Sequence, residues 1–533
     1  MNITRTFDIL DYRAAKSPDT TALAGKRRGE WFSYTYEEYK DIVDRLTLGL
    51  INLGIEQGDR IASITPNRPE WNLLDMAIAQ AGAIHVSMYP NYNQDDYSYI
   101  FQQAEIKYAF TGNQLLYRLI EQLKPSFPFL RDIFMLDGES AKSYEKLLAS
   151  IIKEPDYETL NERKKQVKGE SPYTIYFTSG TAMGPKGAVL QHEAITNSVL
   201  NIYGLYQLQP CEVVVSYLPI CHAYERIHNY IYQYVGCSVY YADSVDNVVA
   251  NLEEIKPVMF TSVPMIVERV LEGINQKSSD LLGGRLRMIS SAAAALPEQY
   301  AQKLWDIGIP VLECYGLSEC HFVTINSFEH GIKFGTVGTP VKNVSVKLDD
   351  DGEILVKTPY IMKEYFKLPE LTNQIFDEDG YYRTGDIGKW VDGKFLQIIG
   401  RKKDIFKVVS GSYIVPEKVE KALLKSPLIS QTMVFEQEGH IAALIVPDTT
   451  KDENNLQSDQ SLSSATLNDR IKQEINKYYN QQAMPAEQIH SFQVEEHPWT
   501  IQGGELTPTM KIKRDVISQK FASQLQNTKK IYS

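Results

Sequence analysis

Cysteine is scarce in this sequence, and its spacing excludes two kinds of structural element. The 533 residues include five cysteines, an odd number, and no two of them form a CxxC pair. Disulfide frameworks use cysteines in even numbers, and structural zinc sites usually use CxxC pairs, so we expect neither. A reduced, cytoplasmic environment is the simplest interpretation.

Long hydrophobic runs and an excess of positive charge are missing as well. No run approaches the ~20 apolar residues of a membrane-spanning helix, and the first residues, MNITR, are not followed by the apolar core of a signal peptide. We therefore expect no integral membrane segment, although peripheral contact with a membrane needs only a small patch. The net charge of −12 argues against nucleic acid as the main partner.

The composition and the order of patterns predict a multidomain α/β protein. Hydrophobic residues make up 43% and charged residues 23% of the chain, and its 533 residues exceed the usual size of one domain. A strand pattern at 61–65, a helix that opens at Pro69 and a strand at 84–88 form a βαβ unit, which implies a parallel sheet. The same alternation returns between 213 and 290.

Two domains are predicted to follow one another along the chain. The first (residues 1–402) is large, with two α/β sheet layers and a small β-rich subdomain at 320–400. The second (403–533) is predicted to be a small α+β domain. Within the first, residues 1–30 are predicted to be a lead-in segment, and Thr35 is predicted to cap a helix that begins at Tyr36.

A glycine-rich stretch follows a predicted buried strand at 173–178. It suits a triphosphate, because small residues let backbone N–H groups approach an anion and Lys186 adds a positive charge. It is not a Walker A loop, since Pro185 stands where that spacing needs a glycine. The alternative is a surface hairpin with its turn at 184–187, and the local pattern favours neither interpretation.

Seven stretches, spread over most of the chain, carry motifs that recur together in one superfamily. They are TSGTAMGPKG (178–187), LPICHAYER (218–226), ECYGLSE (313–319), GEILVKTP (352–359), YRTGDIG (382–388), GRKKDIFKVVSGSYIVPEKVE (400–420) and LTPTMKIKR (506–514). In this order they resemble the adenylate-forming superfamily of acyl-CoA synthetases, luciferases and peptide-synthetase adenylation domains. The second and sixth stretches are most similar to the long-chain fatty acyl-CoA synthetase branch.

The resemblance implies a fold, a reaction and a set of substrates. The fold is that of an acyl-CoA synthetase, with a large AMP-binding domain and a small mobile domain. The reaction converts a medium- or long-chain fatty acid and ATP, with Mg²⁺, into acyl-AMP and pyrophosphate, and then transfers the acyl group to CoA by domain alternation. Fatty acid, ATP and CoA are the implied partners of a cytoplasmic monomer or homodimer.

The resemblance assigns the phosphates and the adenine of ATP to two motifs. The phosphate cradle comprises Thr178, Ser179, Gly180, Thr181, Gly184 and Lys186. Ser318 is expected to contact phosphate, and Glu319 to hold Mg²⁺ through a hard carboxylate oxygen. Tyr315 and Gly316 are expected to pack against adenine. Without the resemblance, Glu319 would be taken as an ordinary acidic residue of a loop.

The ribose and the α-phosphate are assigned to residues of both domains. Asp386, joined by Arg401, is expected to bind the ribose, because one carboxylate can accept from two hydroxyl groups. The alternatives are a turn-forming Asp and a solvated run of charge. Lys511 is similar to the adenylation lysine, which would reach across to the α-phosphate and the substrate carboxylate. The alternative for Lys511 is a basic surface patch.

The remaining assignments concern the acyl group and CoA. His222 is expected to border the acyl pocket and the thiol channel, although a lone His is more often a satisfied core residue. Lys403 and Asp404 resemble the hinge about which the C-terminal domain of the superfamily rotates. Ser410 and Gly411 resemble the part of that domain that faces the active site during thioester formation. Gly411 would let pantetheine pass close to the backbone. The expected catalytic residues are Lys511, Lys186, Thr181 and His222.

The sequence departs from the superfamily at three places. Ala182 and Met183 replace a Thr and a Gly of the usual loop, and residues 292–293 are Ala where many relatives have Gly. Glu364 also stands where relatives often have Gly. Three alternatives remain: a fatty acyl-AMP ligase, an aryl-CoA ligase and, from another class, a non-catalytic nucleotide- or acyl-binding protein. Residues 224–226 of the second motif receive no role.

Overall fold

Helices and strands alternate through the first 340 residues, and antiparallel strands dominate the next 60. The computed structural model describes residues 2–137, 143–144, 155–181, 184–242, 247–277, 283–448, 464–525 and 529–531. The α-helices of these residues are α1 (Thr6–Lys16), α2 (Tyr36–Asn52), α3 (Pro69–Gln80), α4 (Gln94–Ala104), α5 (Gln114–Leu123), α6 (Tyr157–Gln166), α7 (His192–Ile202), α8 (Ala223–Val235), α9 (Val248–Ile255), α10 (Pro264–Lys277), α11 (Glu298–Asp306), α12 (Pro369–Gln374), α13 (Pro416–Leu423), α14 (Ser464–Ile475), α15 (Arg514–Lys520) and α16 (Ala522–Leu525).

The strands follow the same chain order. They are β1 (Thr21–Arg27), β2 (Glu30–Thr35), β3 (Arg60–Ile64), β4 (Ile84–Met88), β5 (Tyr108–Thr111), β6 (Asp132–Met135), β7 (Pro172–Thr181), β8 (Gly184–Gln191), β9 (Val213–Ser216), β10 (Ser238–Tyr241), β11 (Met259–Ser262), β12 (Met288–Ser291), β13 (Val311–Leu317), β14 (His321–Ile325), β15 (Thr339–Pro340), β16 (Ser345–Leu348), β17 (Glu353–Lys357), β18 (Glu364–Tyr365), β19 (Tyr382–Val391), β20 (Phe395–Arg401), β21 (Phe406–Lys407), β22 (Tyr413–Ile414), β23 (Ile429–Gln437), β24 (His440–Pro447), β25 (Ile489–Val494) and β26 (Lys529–Lys530).

Two large sheets form the N-terminal part. One has nine strands in the order β15-β14-β13-β12-β11-β9-β10-β1-β2, with a parallel centre from β13 to β1. The other has seven strands in the order β18-β8-β7-β4-β3-β5-β6, with a parallel centre from β7 to β6. Parallel neighbours need crossover helices, which explains the βαβ pattern of the sequence.

One hydrophobic core connects the two sheets. It includes residues of both, such as Tyr173 of β7 and Val239 of β10, and residues of helices α1, α2, α3, α7 and α8. Helix α8 lies in this core, so its side chains contact elements of both sheets. No helix among the described residues is both long and apolar enough to cross a membrane.

Smaller sheets follow in the chain. An antiparallel sheet with the order β16-β17-β19-β20 contains the predicted hairpin turn, where Asp392 has φ 51° and Gly393 has φ 70°. The C-terminal part contains the sheet β23-β24-β25-β26, and Val434 and Ile445 belong to a separate hydrophobic cluster there. The α/β fold class with a small α+β unit at the C-terminus is therefore confirmed.

Two predictions about the organisation of the chain are wrong. Residues 1–30 are not merely a lead-in, because they form α1 and β1, and β1 pairs with β10 inside the nine-stranded sheet. The β-rich subdomain does not begin at 320, because β14 pairs with β13 and extends the same large sheet. Both errors concern strand partners that are distant in sequence. The boundary at 402/403 stays a prediction.

The start of α2 allows a local test of the fold. The Thr35 side chain accepts from the backbone N–H of Glu38, and the Glu38 carboxylate accepts from that of Thr35, as in a capping box. We expect Thr35→Ala to destabilise the first turn by about 1 kcal/mol, which raises its amide hydrogen exchange about fivefold. Thr35→Ser keeps the hydroxyl and serves as the control. Equal exchange in both variants would contradict the cap.

Candidate active site

Residues of the C-terminal part contact the N-terminal part at one cleft. The Lys511 ammonium donates to the carbonyl oxygen of Ala293 at 2.7 Å, and the Lys421 ammonium donates to that of Ala295 at 3.1 Å. The side-chain amide of Asn91 donates to the carbonyl oxygen of Pro508 at 3.3 Å. These contacts place the predicted adenylation lysine beside the loop that follows β12.

The backbone at Ala293 shows that one departure from the superfamily is strained. Ala293 has φ 70°, in the left-handed region that favours glycine. A residue with a Cβ pays roughly 1 kcal/mol there. The carbonyl oxygen that Lys511 contacts therefore belongs to a strained residue. The neighbouring Ala292 is buried in the main core.

A tight loop presents Lys511. The backbone N–H of Lys511 donates to Thr507 Oγ1 at 3.0 Å, and the N–H of Thr507 donates to the Lys511 carbonyl oxygen at 2.8 Å. Lys511 is exposed as a whole, but the protein atoms around its ammonium remove water from it and lower its pKa, and the positive charge of Arg401 lowers it further. Glu417 and Asp386 act in the opposite direction. Lys511 thus lies within the electrostatic range of the predicted ribose-binding residues.

Asp386 and Arg401 face each other on neighbouring strands, β19 and β20. Arg401 Nε lies 2.9 Å from Asp386 Oδ1, and the Tyr315 hydroxyl donates to Asp386 Oδ2 at 2.6 Å. Burial raises the pKa of Asp386, while Arg401 and the Tyr315 hydroxyl oppose that shift. The structure therefore brings the three predicted adenosine residues into one group, with a carboxylate that two donors orient.

Glu319 and Lys186 lie on either side of a tyrosine that the sequence reasoning missed. The Tyr365 hydroxyl donates to Glu319 Oε1 at 2.8 Å, and the Lys186 ammonium lies 5.3 Å from the centre of the Tyr365 ring. Burial lowers the pKa of Lys186, Lys403 lowers it further and Glu319 opposes both. Tyr365 directly follows Glu364, the residue that departs from the superfamily. This proximity to an unusual residue was the only feature of the sequence that pointed to Tyr365.

The geometry of Glu319 fits a hard cation. Its side chain is 7% exposed, in the turn between β13 and β14. Among the described residues, only Oε1 has a hydrogen-bond partner, so Oε2 can offer an oxygen ligand. One carboxylate together with nucleotide phosphates is a usual environment for Mg²⁺. Gly316 precedes this turn, and a Cβ there would lie 1.9 Å from the carbonyl oxygen of His321.

The glycine-rich stretch forms a hairpin, but its turn is not at the predicted place. Strand β7 continues to Thr181, and β8 begins at Gly184 and includes residues 184–187. Residues 184–187 are therefore part of a strand and do not form the turn. Residues 182–183 lie outside the described residues, as do the side chains of Ser179 and Thr181. The Thr178 hydroxyl donates to the Lys186 carbonyl oxygen at 3.4 Å across the hairpin. Binding of phosphate by this hairpin stays a prediction.

His222 lies at the N-terminus of α8, close to Lys511. Its Nδ1 accepts from the backbone N–H of Tyr224 at 3.2 Å, which caps the helix. Burial lowers the pKa of His222 to about 4, and the charge of Lys511 contributes to that shift. The imidazole is therefore neutral at pH 7. His222 has both a structural role as a cap and a position beside the cleft.

The predicted thioester face lies apart from these groups, whereas the predicted hinge residue Lys403 lies within electrostatic range of Lys186. Lys403 pairs with Asp515 at 3.8 Å, and Asp404 lies 3.7 Å from Arg514 Nε. Ser410 and Gly411 occupy the exposed turn between β21 and β22. No described contact joins this turn to the residues around Lys511. Its neighbours Val409 and Tyr413 are each 72% exposed.

The pKa of His222 tests the closure of this cleft. We expect Lys511→Met to raise the pKa of His222 from about 4, because a positive charge that disfavours the imidazolium is removed. Lys513→Met removes the same charge two residues further on and serves as the matched control. The measurement is an NMR titration of ¹³C-labelled histidines. An unchanged His222 pKa in Lys511→Met would contradict the position of Lys511 described above.

Comparison with known proteins gives the family. The AMP-binding enzyme family model matches residues 10–366. A long-chain-fatty-acid–CoA ligase, FadD15, of Mycobacterium bovis is 28% identical over 93% of this chain and 92% of its own length. The peroxisomal long chain acyl-CoA synthetase 6 of Arabidopsis thaliana is 28% identical over 97% of this chain and 84% of its own length.

A solved structure shows the same fold. The anthranilate CoA ligase AuaEII, in complex with anthranoyl-AMP, matches with a TM-score of 0.77 over 98% of both chains at 20% identity. This match confirms the predicted fold class. The sequence relatives confirm the predicted resemblance to the adenylate-forming superfamily and its long-chain branch. The chain belongs to the AMP-binding enzyme family.

Proposed function

We propose that this protein is a fatty acyl-CoA synthetase, an ATP-dependent acid–thiol ligase for medium- or long-chain acids. The observation that carries the proposal is the position of Lys511, whose ammonium contacts Ala293 and lies within electrostatic range of Asp386 and Arg401. The names of the sequence relatives support a long-chain fatty acid as the substrate and CoA as the acceptor. ATP, with Mg²⁺, is the second substrate.

The described residues suit the binding of ATP. Asp386 holds the ribose hydroxyls, and Arg401 and the Tyr315 hydroxyl orient its carboxylate. The Tyr315 ring packs against adenine. Lys186 and Thr178 contact the β- and γ-phosphates. Ser318 donates a hydrogen bond to phosphate. When bound at Glu319, Mg²⁺ would neutralise charge on the phosphates.

The first step brings two anions together, and this requires positive charge at the point of contact. A carboxylate oxygen of the fatty acid attacks the α-phosphorus of ATP. The bond to the oxygen that bridges to the β-phosphate breaks, and pyrophosphate leaves with the electron pair. Lys511 stabilises the charge that develops on the α-phosphate, and the neutral imidazole of His222 borders the acyl group without adding charge.

The second step needs a different face of the C-terminal part. The thiol sulfur of CoA attacks the acyl carbonyl carbon, the bond to AMP breaks, and the thiol proton leaves to solvent. The exposed turn at Ser410 and Gly411 is free to enter the cleft after a rotation about Lys403 and Asp404. The high exposure of Val409 and Tyr413 supports this proposal, because apolar side chains at a turn favour a second partner surface.

Pyrophosphate release tests the function. Wild-type protein is expected to release pyrophosphate from ATP only with a fatty acid, and to form acyl-CoA when CoA is present. Lys511→Ala should lower the adenylation rate about 10²–10³-fold, because a donor to transition-state charge is lost. Lys513→Ala is the matched control and should retain most of the rate. A panel of acids of increasing chain length gives the specificity.

Each alternative has its own outcome in that assay. Acid-dependent acyl-AMP that never reaches CoA would indicate a fatty acyl-AMP ligase. Activity with aromatic acids alone would indicate an aryl-CoA ligase. ATP binding without pyrophosphate release on any acid would indicate a non-catalytic binding protein and would overturn the proposal.

Gly411 allows the second step to be tested apart from the first. Gly411 has φ 90°, and a Cβ added there would come no closer than 3.9 Å to the Lys407 side chain. We expect Gly411→Ala to slow acyl-CoA formation about tenfold, because strain and a methyl group obstruct the passage of pantetheine. Acyl-AMP formation should be unchanged. The control is Gly393→Ala, which adds the same methyl group at φ 70° in a distant open turn.

Separate measurement of the two half-reactions decides the outcome. The rate of acyl-AMP formation is measured in a single turnover without CoA. The rate of acyl-CoA formation is measured after CoA is added to preformed acyl-AMP. Equal thioester rates in Gly411→Ala and wild type would place the CoA channel elsewhere.

A further inference from the structure

Helix α8 is buried along most of its length although many of its side chains are polar. Buried helices usually carry apolar residues on every face. The buried polar or charged side chains of α8 are Glu225, Arg226, His228, Asn229 and Gln233. A buried charge is stable only when it is paired and hydrogen-bonded. The hydrogen-bond partners of these side chains therefore show which elements α8 connects.

Arg226 joins α8 to the strand that leads into the phosphate hairpin. Its Nη1 donates to Thr174 Oγ1 at 2.7 Å, and its Nη2 donates to the Tyr173 hydroxyl at 2.9 Å. Both acceptors lie on β7. Nη2 also pairs with Asp75 Oδ1 of α3 at 2.5 Å, and Nε donates to the Tyr230 hydroxyl at 2.9 Å. All three guanidinium nitrogens are thus engaged at fixed positions.

The same group extends to the next two strands of the seven-stranded sheet. Asp75 Oδ1 lies 2.6 Å from His85 Nδ1 on β4, and His85 Nε2 lies 2.7 Å from the Ser63 hydroxyl on β3. The Thr174 hydroxyl donates to the His85 carbonyl oxygen at 2.7 Å. The Arg226 guanidinium lowers the pKa of the Asp75 carboxyl, and burial lowers the pKa of His85. The group therefore contains one positive and one negative charge.

The adjacent residue, Glu225, attaches α8 to the other sheet. Its carboxylate accepts from the Ser216 hydroxyl of β9 at 2.5 Å and from the Thr261 hydroxyl of β11. It also accepts from the Asn229 amide at 3.3 Å. Two successive residues of α8 thus hold the two sheets, Glu225 the nine-stranded sheet and Arg226 the seven-stranded sheet.

The two elements that Arg226 connects, α8 and β7, both extend to the cleft. Arg226 lies four residues after His222, about 6 Å along the helix axis. Thr174 lies four residues before Thr178, about 13 Å along the strand. We propose that Arg226 is a positioning residue, which sets the distance between the start of α8 and the phosphate hairpin by holding Thr174 and Tyr173. This inference rests on the proposed function, because it assumes that the hairpin binds the phosphates of ATP.

The chemistry of the side chain suits this task. A guanidinium presents its donors in a rigid, planar fork, so four contacts fix its orientation as well as its position. Its planar face also lies over the rings of Trp71 and Tyr173, at 5.1 Å and 4.9 Å from their centres. A lysine ammonium would keep the positive charge opposite Asp75 but would lack the planar set of donors that contacts Thr174 and Tyr173 together. Arg226 is fully buried and acts through β7.

The test uses two matched variants, each of which removes one buried hydroxyl. Thr174→Val removes one of the two hydrogen bonds of Arg226 with β7, whereas Thr261→Val removes the hydrogen bond of Glu225 with β11. Both threonines are fully buried. The dissociation constant of ATP, measured by calorimetry with Mg²⁺ present, is expected to rise about tenfold in Thr174→Val, equal to about 1.4 kcal/mol. It should be unchanged in Thr261→Val.

Two further variants keep the inference open to refutation. Thr174→Ser retains the hydroxyl and is expected to restore wild-type ATP binding, which a loss of packing alone would not do. Should Thr174→Val fail to fold, Tyr173→Phe removes the other acceptor on β7 and is expected to weaken ATP binding in the same direction.

Failure of the inference and failure of the proposed function give different results. Wild-type ATP binding that Thr174→Val leaves unchanged, or that both threonine variants weaken equally, overturns the positioning role alone. Wild-type protein that binds no ATP overturns the proposed function and this inference with it.

Discussion

The hydrogen bond from the Lys511 ammonium to the carbonyl oxygen of Ala293 joins residues 218 positions apart, and the cleft depends on it. A charge-assisted hydrogen bond contributes about 1.5–3 kcal/mol. Such a contact, with a few similar ones from Lys421 and Asn91, holds the C-terminal part in place without locking it. This modest strength agrees with the proposed alternation between two arrangements of the same two parts.

The cleft gathers positive charge in a chain whose net charge is −12. Lys511 and Arg401 lie close enough for one to lower the pKa of the other, and Lys403 acts in the same way on Lys186. This repulsion between positive charges destabilises the cleft, and an anionic ligand would relieve it. A negative surface and a locally positive cleft are therefore compatible, since charges more than about 10 Å apart are largely screened by salt.

Elements that depend on local sequence were predicted well. The cap at Thr35 and the turn at Asp392 and Gly393 follow from contacts within four residues, so composition and spacing were enough. The motif residues Asp386, Arg401 and Tyr315 do come together, although only the resemblance connected them. Tyr365 was missed because its contact with Glu319 crosses 46 residues and no motif includes it.

The sequence by itself determined the βαβ unit from Arg60 to Met88 and the cap of α2, and its motifs predicted which residues bind two anionic reactants. Local hydrogen bonds and periodic burial explain that success. Only the tertiary structure decided that β1 joins the nine-stranded sheet, that residues 184–187 belong to strand β8, and that Arg226 connects α8 to β7. Each of these depends on partners far apart in the chain. The number of residues between two partners does not say how close they lie in the folded protein.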